Sequence, residues 1–320
     1  MRANAHIPVS VLTGYLGSGK TTLLNRLLAN QRGRRYGVIV NEFGSIGIDG
    51  ALIVDANENV IELNNGCLCC SVRGDLLGAL ETVVARVDGV DEILIETTGL
   101  ADPAPIAATF LLDDDIFDRV KLKAIITLID VPLVNDQIGE DPVVESQIAL
   151  GDIVLLNKCD VASGEQLQSA EALVKSINRI SPVLRTDRDV VDVVDLLAIP
   201  VDQHARLSFV NRPTRPPRHD VVSVSLTAQE PVDAELFAEW ISNVIRRNGR
   251  DILRCKGIVA FAGEDRRFIF QGVQTILEGD VREPWAEGKL RESRLVFIGR
   301  RLDTAALRAG FETCLVRAIR

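Results

Sequence analysis

The stretch Gly14 to Thr22, G-Y-L-G-S-G-K-T-T, constrains this chain more than any other. It fits the pattern Gly, four residues, Gly, Lys, Ser/Thr. An apolar run (Ile7, Val9, Val11, Leu12) leads into it, and a helical pattern of leucines (Leu23, Leu24, Leu27, Leu28) leads out. A strand passing through such a loop into a helix is the context a phosphate-binding P-loop requires. Gly14, Gly17 and Gly19 let the backbone wrap closely around an anion, with N–H groups turned inward at the positive end of the helix. Lys20 then reaches the outer phosphates and Thr21 offers its hydroxyl to Mg2+, with Ser18 and Thr22 completing the cradle.

Around this loop the first two hundred residues alternate apolar runs with helical patterns. The runs are Ile7 to Leu12, Gly37 to Val40, Val60 to Leu63, Ile93 to Ile95, Leu122 to Ile129 and Ile153 to Leu156; helical patterns cover Thr22 to Asn30, Leu76 to Val87 and Gln166 to Ile180. This predicts an α/β domain with a doubly wound, mainly parallel sheet, whose ligands sit at the carboxyl ends of the strands. We place this domain at residues 1–205. A Pro- and Arg-rich connection, N-R-P-T-R-P-P-R-H, falls within a linker at residues 206–219. Beyond it, residues 220–320 read as a smaller α+β domain with a largely antiparallel sheet. Its expected strands are Val221 to Leu226, Ile252 to Phe261, Arg267 to Gln271 and Ser293 to Ile298, and its helices Ala234 to Arg247 and Thr304 to Arg317.

Three further segments, each following an apolar run, extend the phosphate site. Asn157, Lys158 and Asp160 stand in N-K-C-D. A carboxylate there accepts from the N1–H and exocyclic amine of guanine, a donor pair adenine lacks. Such a site rejects the wrong base by about 10^4-fold or more, because its buried polar groups would be left unpaired. Ile93 to Gly99, I-L-I-E-T-T-G, ends a strand in Glu96, placed to hold Mg2+ directly or through water, and then in Gly99, whose N–H is positioned to sense a γ-phosphate. Asn41 to Asp49 is where a first switch loop is expected, with Glu42 and Asp49 facing magnesium, a second metal or a partner. The catalytic assignment is therefore Lys20, Thr21 and Glu96, acting on GTP to give GDP and phosphate.

The segment N-N-G-C-L-C-C-S carries a different chemistry. Cys67, Cys69 and Cys70 place three of the chain's six cysteines within four positions. Three thiols so close bind a soft or borderline metal, Zn2+ or Cu(I), with Co2+ and Fe2+ also compatible. Structural zinc sites close with four ligands, so three cysteines leave a position open, to be completed by an acid such as Glu42 or used to pass the metal on. Cys67 and Cys70 also form a C-x-x-C pair, which keeps a redox role open. Cys159, Cys255 and Cys314 are expected to be ordinary core or loop residues.

Composition narrows the classes. At 47% hydrophobic and 25% charged, nothing in the chain of 320 residues suggests disorder. A net charge of −9 and few aromatics oppose a nucleic-acid role. No apolar run approaches the roughly 18 residues of a membrane helix. A cytoplasmic protein without membrane or nucleic-acid partners is expected.

Taken together, these motifs make the sequence resemble the CobW-type P-loop GTPases, the cobalamin-synthesis W family. The resemblance runs through G-Y-L-G-S-G-K-T-T, N-E-F-G with I-G-I-D, N-G-C-L-C-C, E-T-T-G-L-A-D-P and N-K-C-D, and continues in L-R-C-K-G-I, F-Q-G-V and L-V-F-I-G-R of the second half. It implies a GTP-dependent metallochaperone in which Cys67, Cys69 and Cys70 bind the cargo metal between two switch segments. Metal and nucleotide states would then be coupled, and a client protein would receive the metal; a homodimer is compatible. Many members carry a histidine-rich stretch near the domain junction, whereas this chain has only His6, His204 and His219. No Ras-like glutamine follows Gly99, so slow unaided turnover is expected. The rival reading is a regulatory GTP switch whose cysteines sense redox state.

Overall fold

The structure, a computed structural model, describes residues 6–30, 33–41, 60–63, 72–86, 89–112, 119–186, 196–197, 220–286, 288 and 290–316. The chain divides into two compact units, residues 1–175 with 181–201, and residues 202–320 with 176–180.

The first unit is built on seven parallel strands: β1 (Ile7–Thr13), β2 (Tyr36–Asn41), β3 (Val60–Leu63), β4 (Glu92–Glu96), β5 (Val120–Asp130), β6 (Ile153–Asn157) and β7 (Val183–Arg185), in the order β3-β2-β4-β1-β5-β6-β7. Helices on both faces explain why β1, β4, β5 and β6 read as nearly unbroken apolar runs rather than alternating ones. The helices are α1 (Lys20–Ala29), α2 (Val72–Arg86), α3 (Ala104–Thr109), α4 (Val134–Glu140), α5 (Pro142–Leu150) and α6 (Gly164–Ile177). On one face, Leu23, Leu24, Leu27 and Leu28 of α1 pack with Leu12, Leu94, Leu128 and Leu155 of the strands. Central β1 pairs with β4 in register Val11 to Ile95 and with β5 in register Val11 to Ile125. The loops leaving β1, β4 and β6 therefore open at the same sheet edge, as the parallel reading requires.

The second unit is a five-stranded antiparallel sheet in the order β11-β10-β9-β12-β8. Its strands are β8 (Val221–Ala228), β9 (Ile252–Val259), β10 (Arg266–Val273), β11 (Ile276–Pro284) and β12 (Ser293–Arg300). Its helices are α7 (Ala234–Asn248) and α8 (Thr304–Glu312). Asp233 caps α7 by accepting from Glu235 and Leu236 N–H, and Asp303 caps α8 by accepting from Ala306 N–H. Phe237 and Trp240 of α7 meet Phe261, Phe268, Phe270, Phe297 and Phe311 with ring centroids 5.6 to 6.5 Å apart. Cys255 and Cys314 are buried in this core. Burial pushes the Cys255 thiol up to about 12 and raises that of Cys314 as well. Both are small apolar packing residues, as expected.

Most expected elements are present with ends shifted by a few residues. The expected last helix is shorter, ending at Glu312 rather than Arg317. Four elements had no counterpart in the sequence reading of the first unit, α3, α4, α5 and β7, and one in the second, β11. The last is an edge strand of mostly exposed residues, I-L-E-G-D-V-R-E-P, whose charges keep it from pairing further. Among the described residues, no helix is long and apolar enough to cross a membrane.

Candidate functional site

The loop after β1 has the backbone its glycines predict. Gly14, Gly17 and Gly19 have φ of 141°, 72° and 100°, all in the region L side chains avoid. At Gly14 and Gly19, though not at Gly17, space forbids a side chain as well. A Cβ on Gly14 would lie 2.3 Å from the Leu128 carbonyl oxygen, and one on Gly19 would lie 2.3 Å from Asn157 Nδ2. Lys20 is buried and its Nζ donates to the carbonyls of Gly14 (2.8 Å) and Tyr15 (3.2 Å), which arches the side chain over the loop. Ser18 Oγ is buried in the same loop and has no hydrogen-bond partner among the described residues. A buried hydroxyl so placed suits an anionic ligand.

Thr21 and Glu96, 75 residues apart, meet directly: Thr21 Oγ1 donates to Glu96 Oε1 at 2.6 Å. Glu96 ends β4 and is 5% exposed. A hydroxyl and a carboxylate side by side at the entrance of a phosphate loop form the hard oxygen donor set that Mg2+ takes. The following residues are tied back to β1, with Thr97 N–H donating to the Leu12 carbonyl (3.0 Å) and Thr97 Oγ1 to Thr13 Oγ1 (3.1 Å). A turn then closes through Ala101 N–H to the Thr98 carbonyl at 3.1 Å. Gly99 sits in this turn against the phosphate loop: a Cβ there would lie 2.7 Å from the Leu16 backbone nitrogen.

The third segment completes one cavity of ≈ 280 Å3, lined by Gly17, Gly19 and Thr22 together with Asn157, Lys158, Asp160 and Thr186. Asn157 joins this segment to the phosphate loop. Its Nδ2 donates to the Ser18 carbonyl at 2.7 Å, and its Oδ1 accepts from Thr186 Oγ1 at 2.8 Å. Lys158 has the left-handed φ of 61°, and its Nζ pairs with the buried Asp130 at 2.7 Å. That backbone turn projects exposed Asp160 to the cavity lining. The cavity is thus lined both by glycines of the phosphate loop and by the carboxylate of Asp160.

Of the sequence-predicted residues, Gly14, Gly17, Ser18, Gly19, Gly99, Lys158 and Asp160 lie on the loops at this end of the sheet, Lys20, Thr21 and Thr22 in the first turn of α1, and Glu96 and Asn157 at the ends of β4 and β6. Cys67, Cys69, Cys70, Glu42 and Asp49 lie outside the described residues. Sequence reasoning missed Thr186, which follows a three-residue strand, and Asp130, whose signal was an acid closing a long apolar run. It also missed Gln147 on α5, buried without any motif around it.

Comparison with known proteins agrees with this geometry. Residues 8–185 match the family described as "CobW/HypB/UreG, nucleotide-binding domain", and residues 221–315 match the "Cobalamin synthesis protein cobW C-terminal domain". The chain is similar to the zinc chaperone YjiA of Escherichia coli, at 34% identity covering 95% of this chain and 98% of the relative. It is also similar to the zinc chaperone CobW of Pseudomonas aeruginosa, at 33% identity covering 98% and 93%. The crystal structure of Zn(II)-bound YjiA GTPase from Escherichia coli superposes with a TM-score of 0.77, covering 98% of this chain and all of that one at 28% identity.

Proposed function

Since this chain belongs to the CobW/HypB/UreG family of P-loop GTPases and carries the CobW C-terminal domain, we propose that it is a metallochaperone that binds zinc through Cys67, Cys69 and Cys70 and releases it to a client protein under the control of GTP. The observation that carries the reading is similarity along nearly the whole chain to proteins named zinc chaperones, in a sequence that itself holds N-G-C-L-C-C. Co2+ and Fe2+ suit the same thiolates, but the named relatives favour zinc.

In this reading GTP lies along the cavity from Asp160 to the phosphate loop. Asp160 accepts from the guanine N1–H and 2-amino group. Asn157 ties the base-reading segment to the Ser18 carbonyl, so base and phosphate positions are set together. The N–H groups of Gly17 and of Gly19 to Thr22, with the Lys20 ammonium, take the β- and γ-phosphates. Thr21 and Glu96 hold Mg2+, which when bound neutralises charge on the phosphate oxygens. Gly99, whose N–H is uncommitted among the described residues and whose Cα side packs against Leu16, senses the γ-phosphate. Its contact with the γ-phosphate is then the one that distinguishes GTP from GDP, and the cysteine segment follows that difference through the switch loops on either side.

The assignment of the cysteines is tested by zinc titration of the reduced full-length protein and of Cys69→Ser, with a chromogenic chelator as competitor. One zinc per wild-type chain and loss of tight binding in the variant are expected. Undiminished binding by the variant would remove the motif from the site.

A further inference from the structure

We propose that Gln147 of α5 is a positioning residue for the GTPase reaction: its buried amide clamps the turn that carries Gly99 against the phosphate loop, and so sets how strongly the protein distinguishes GTP from GDP. This rests on the reading of Gly99 as the γ-phosphate sensor.

Gln147 is 1% exposed, in a helix whose residues Val144 to Leu150 are all buried, four of them apolar and Glu145 and Ser146 polar. A primary amide placed there costs stability unless its hydrogen bonds are made, and an aliphatic side chain would fill such a site with no polar group to satisfy. The amide is used on the turn. Gln147 Nε2 donates to the Gly99 carbonyl at 3.0 Å and to the Ala101 carbonyl at 3.2 Å, across 48 and 46 residues of sequence. Its own main chain is fixed in turn, because its carbonyl accepts from Thr127 Oγ1 of β5 at 2.7 Å and from Gly151 N–H at 3.2 Å. The same helix holds the other side of the gap: its cap residue Asp141 accepts from the Tyr15 hydroxyl of the phosphate loop at 3.3 Å. Helix α5 is thus a fixed support bonded both to the phosphate loop and to the turn that must read the phosphate.

Which atoms are bound and which are spare gives the clamp its direction. The carbonyls of Gly99 and Ala101 are occupied by Gln147, while Gly99 N–H makes no hydrogen bond among the described residues. An unclamped glycine explores more backbone conformations than any other residue, so a γ-phosphate would have to order the turn as it bound. With both carbonyls held, the turn is already ordered against Leu16 of the phosphate loop, and the contact with the γ-phosphate is made at little entropic cost. GDP offers nothing to that N–H and gains nothing from the clamp.

The test compares wild type with Gln147→Leu, and with Gln147→Met should the branched side chain disturb α5. It measures dissociation constants for GDP and a non-hydrolysable GTP analogue, with amide exchange of the segment around Gly99 followed in wild type. The expected result is a fall of about fivefold in affinity for the analogue, the equivalent of one net hydrogen bond, with GDP affinity unchanged. An unchanged ratio in both variants, or an equal loss for both nucleotides, would overturn the clamp and leave Gln147 a structural residue. If wild-type exchange around Gly99 is slowed equally by GDP and by the analogue, the sensor reading itself fails and the clamp with it.

Discussion

Thr186→Val removes one hydroxyl and leaves the shape of the side chain, and its consequences follow from a short chain of contacts. Thr186 Oγ1 lies 2.8 Å from Asn157 Oδ1 and 3.2 Å from the Leu156 carbonyl, so its single hydrogen goes principally to Asn157. Asn157 in turn gives Nδ2 to the Ser18 carbonyl at 2.7 Å. Without the hydroxyl, Asn157 Oδ1 loses its partner and the amide loses the contact that fixes which way it faces. Asn157 is half-buried, so water replaces part of the lost bond and the cost stays near the net value of a hydrogen bond, about 1 kcal/mol. That corresponds to a loss of roughly fivefold in GDP affinity. Fluorescent GDP displacement measures it, and a double-mutant cycle with Asn157→Ala locates it. If Thr186 acts through Asn157, the valine substitution costs nothing further in the alanine background. A fivefold loss that persists in that background would refute the route through Asn157, and wild-type affinity in the single variant would refute the role altogether.

Asp160→Asn exchanges an acceptor for a donor opposite the guanine N1–H; nucleotide competition should show GTP losing at least about a hundredfold while xanthosine triphosphate gains, because the base covers this side chain when bound and a donor facing a donor is left mispaired. Equal losses for both nucleotides would place Asp160 outside base recognition. The Cys255 thiol, held at about 12 against an ordinary value of 9.0, should resist a thiol reagent at pH 8 until the second unit unfolds. The sign of its linkage follows from that shift. Because the unfolded chain ionises first, the thiol's contribution is intact below about pH 9 and is lost as pH rises toward 12, so a Cys255→Ala variant should show a flatter fall in stability across that window. Rapid labelling of Cys255 in the native protein would contradict its placement in the core.

The parts of the fold that carry a periodic signal were legible in the sequence. The apolar strands β1, β4, β5 and β6 are buried on both faces, and their continuous runs leave little ambiguity. The phosphate loop was legible because glycine is demanded twice over, by φ and by contact: Gly14 abuts the Leu128 carbonyl and Gly19 abuts Asn157. What was not legible falls into two physical kinds. Elements stabilised by their surroundings rather than by their own pattern were missed, such as short α3 and the charged edge strand β11. So were side chains whose role lies in a contact distant along the chain. Gln147 meets Gly99 from 48 residues away and Thr186 meets Asn157 from 29, and no local spacing encodes either pair.

The central claim is that one site controls the other, and by linkage the effect must be reciprocal. Zinc affinity of the reduced full-length protein, measured by chelator competition once with GDP and once with a non-hydrolysable GTP analogue, tests it most directly. Zinc held at least about fivefold tighter in the analogue state is the expected result, the lower end of typical coupling. Equal zinc affinity in the two nucleotide states would contradict it.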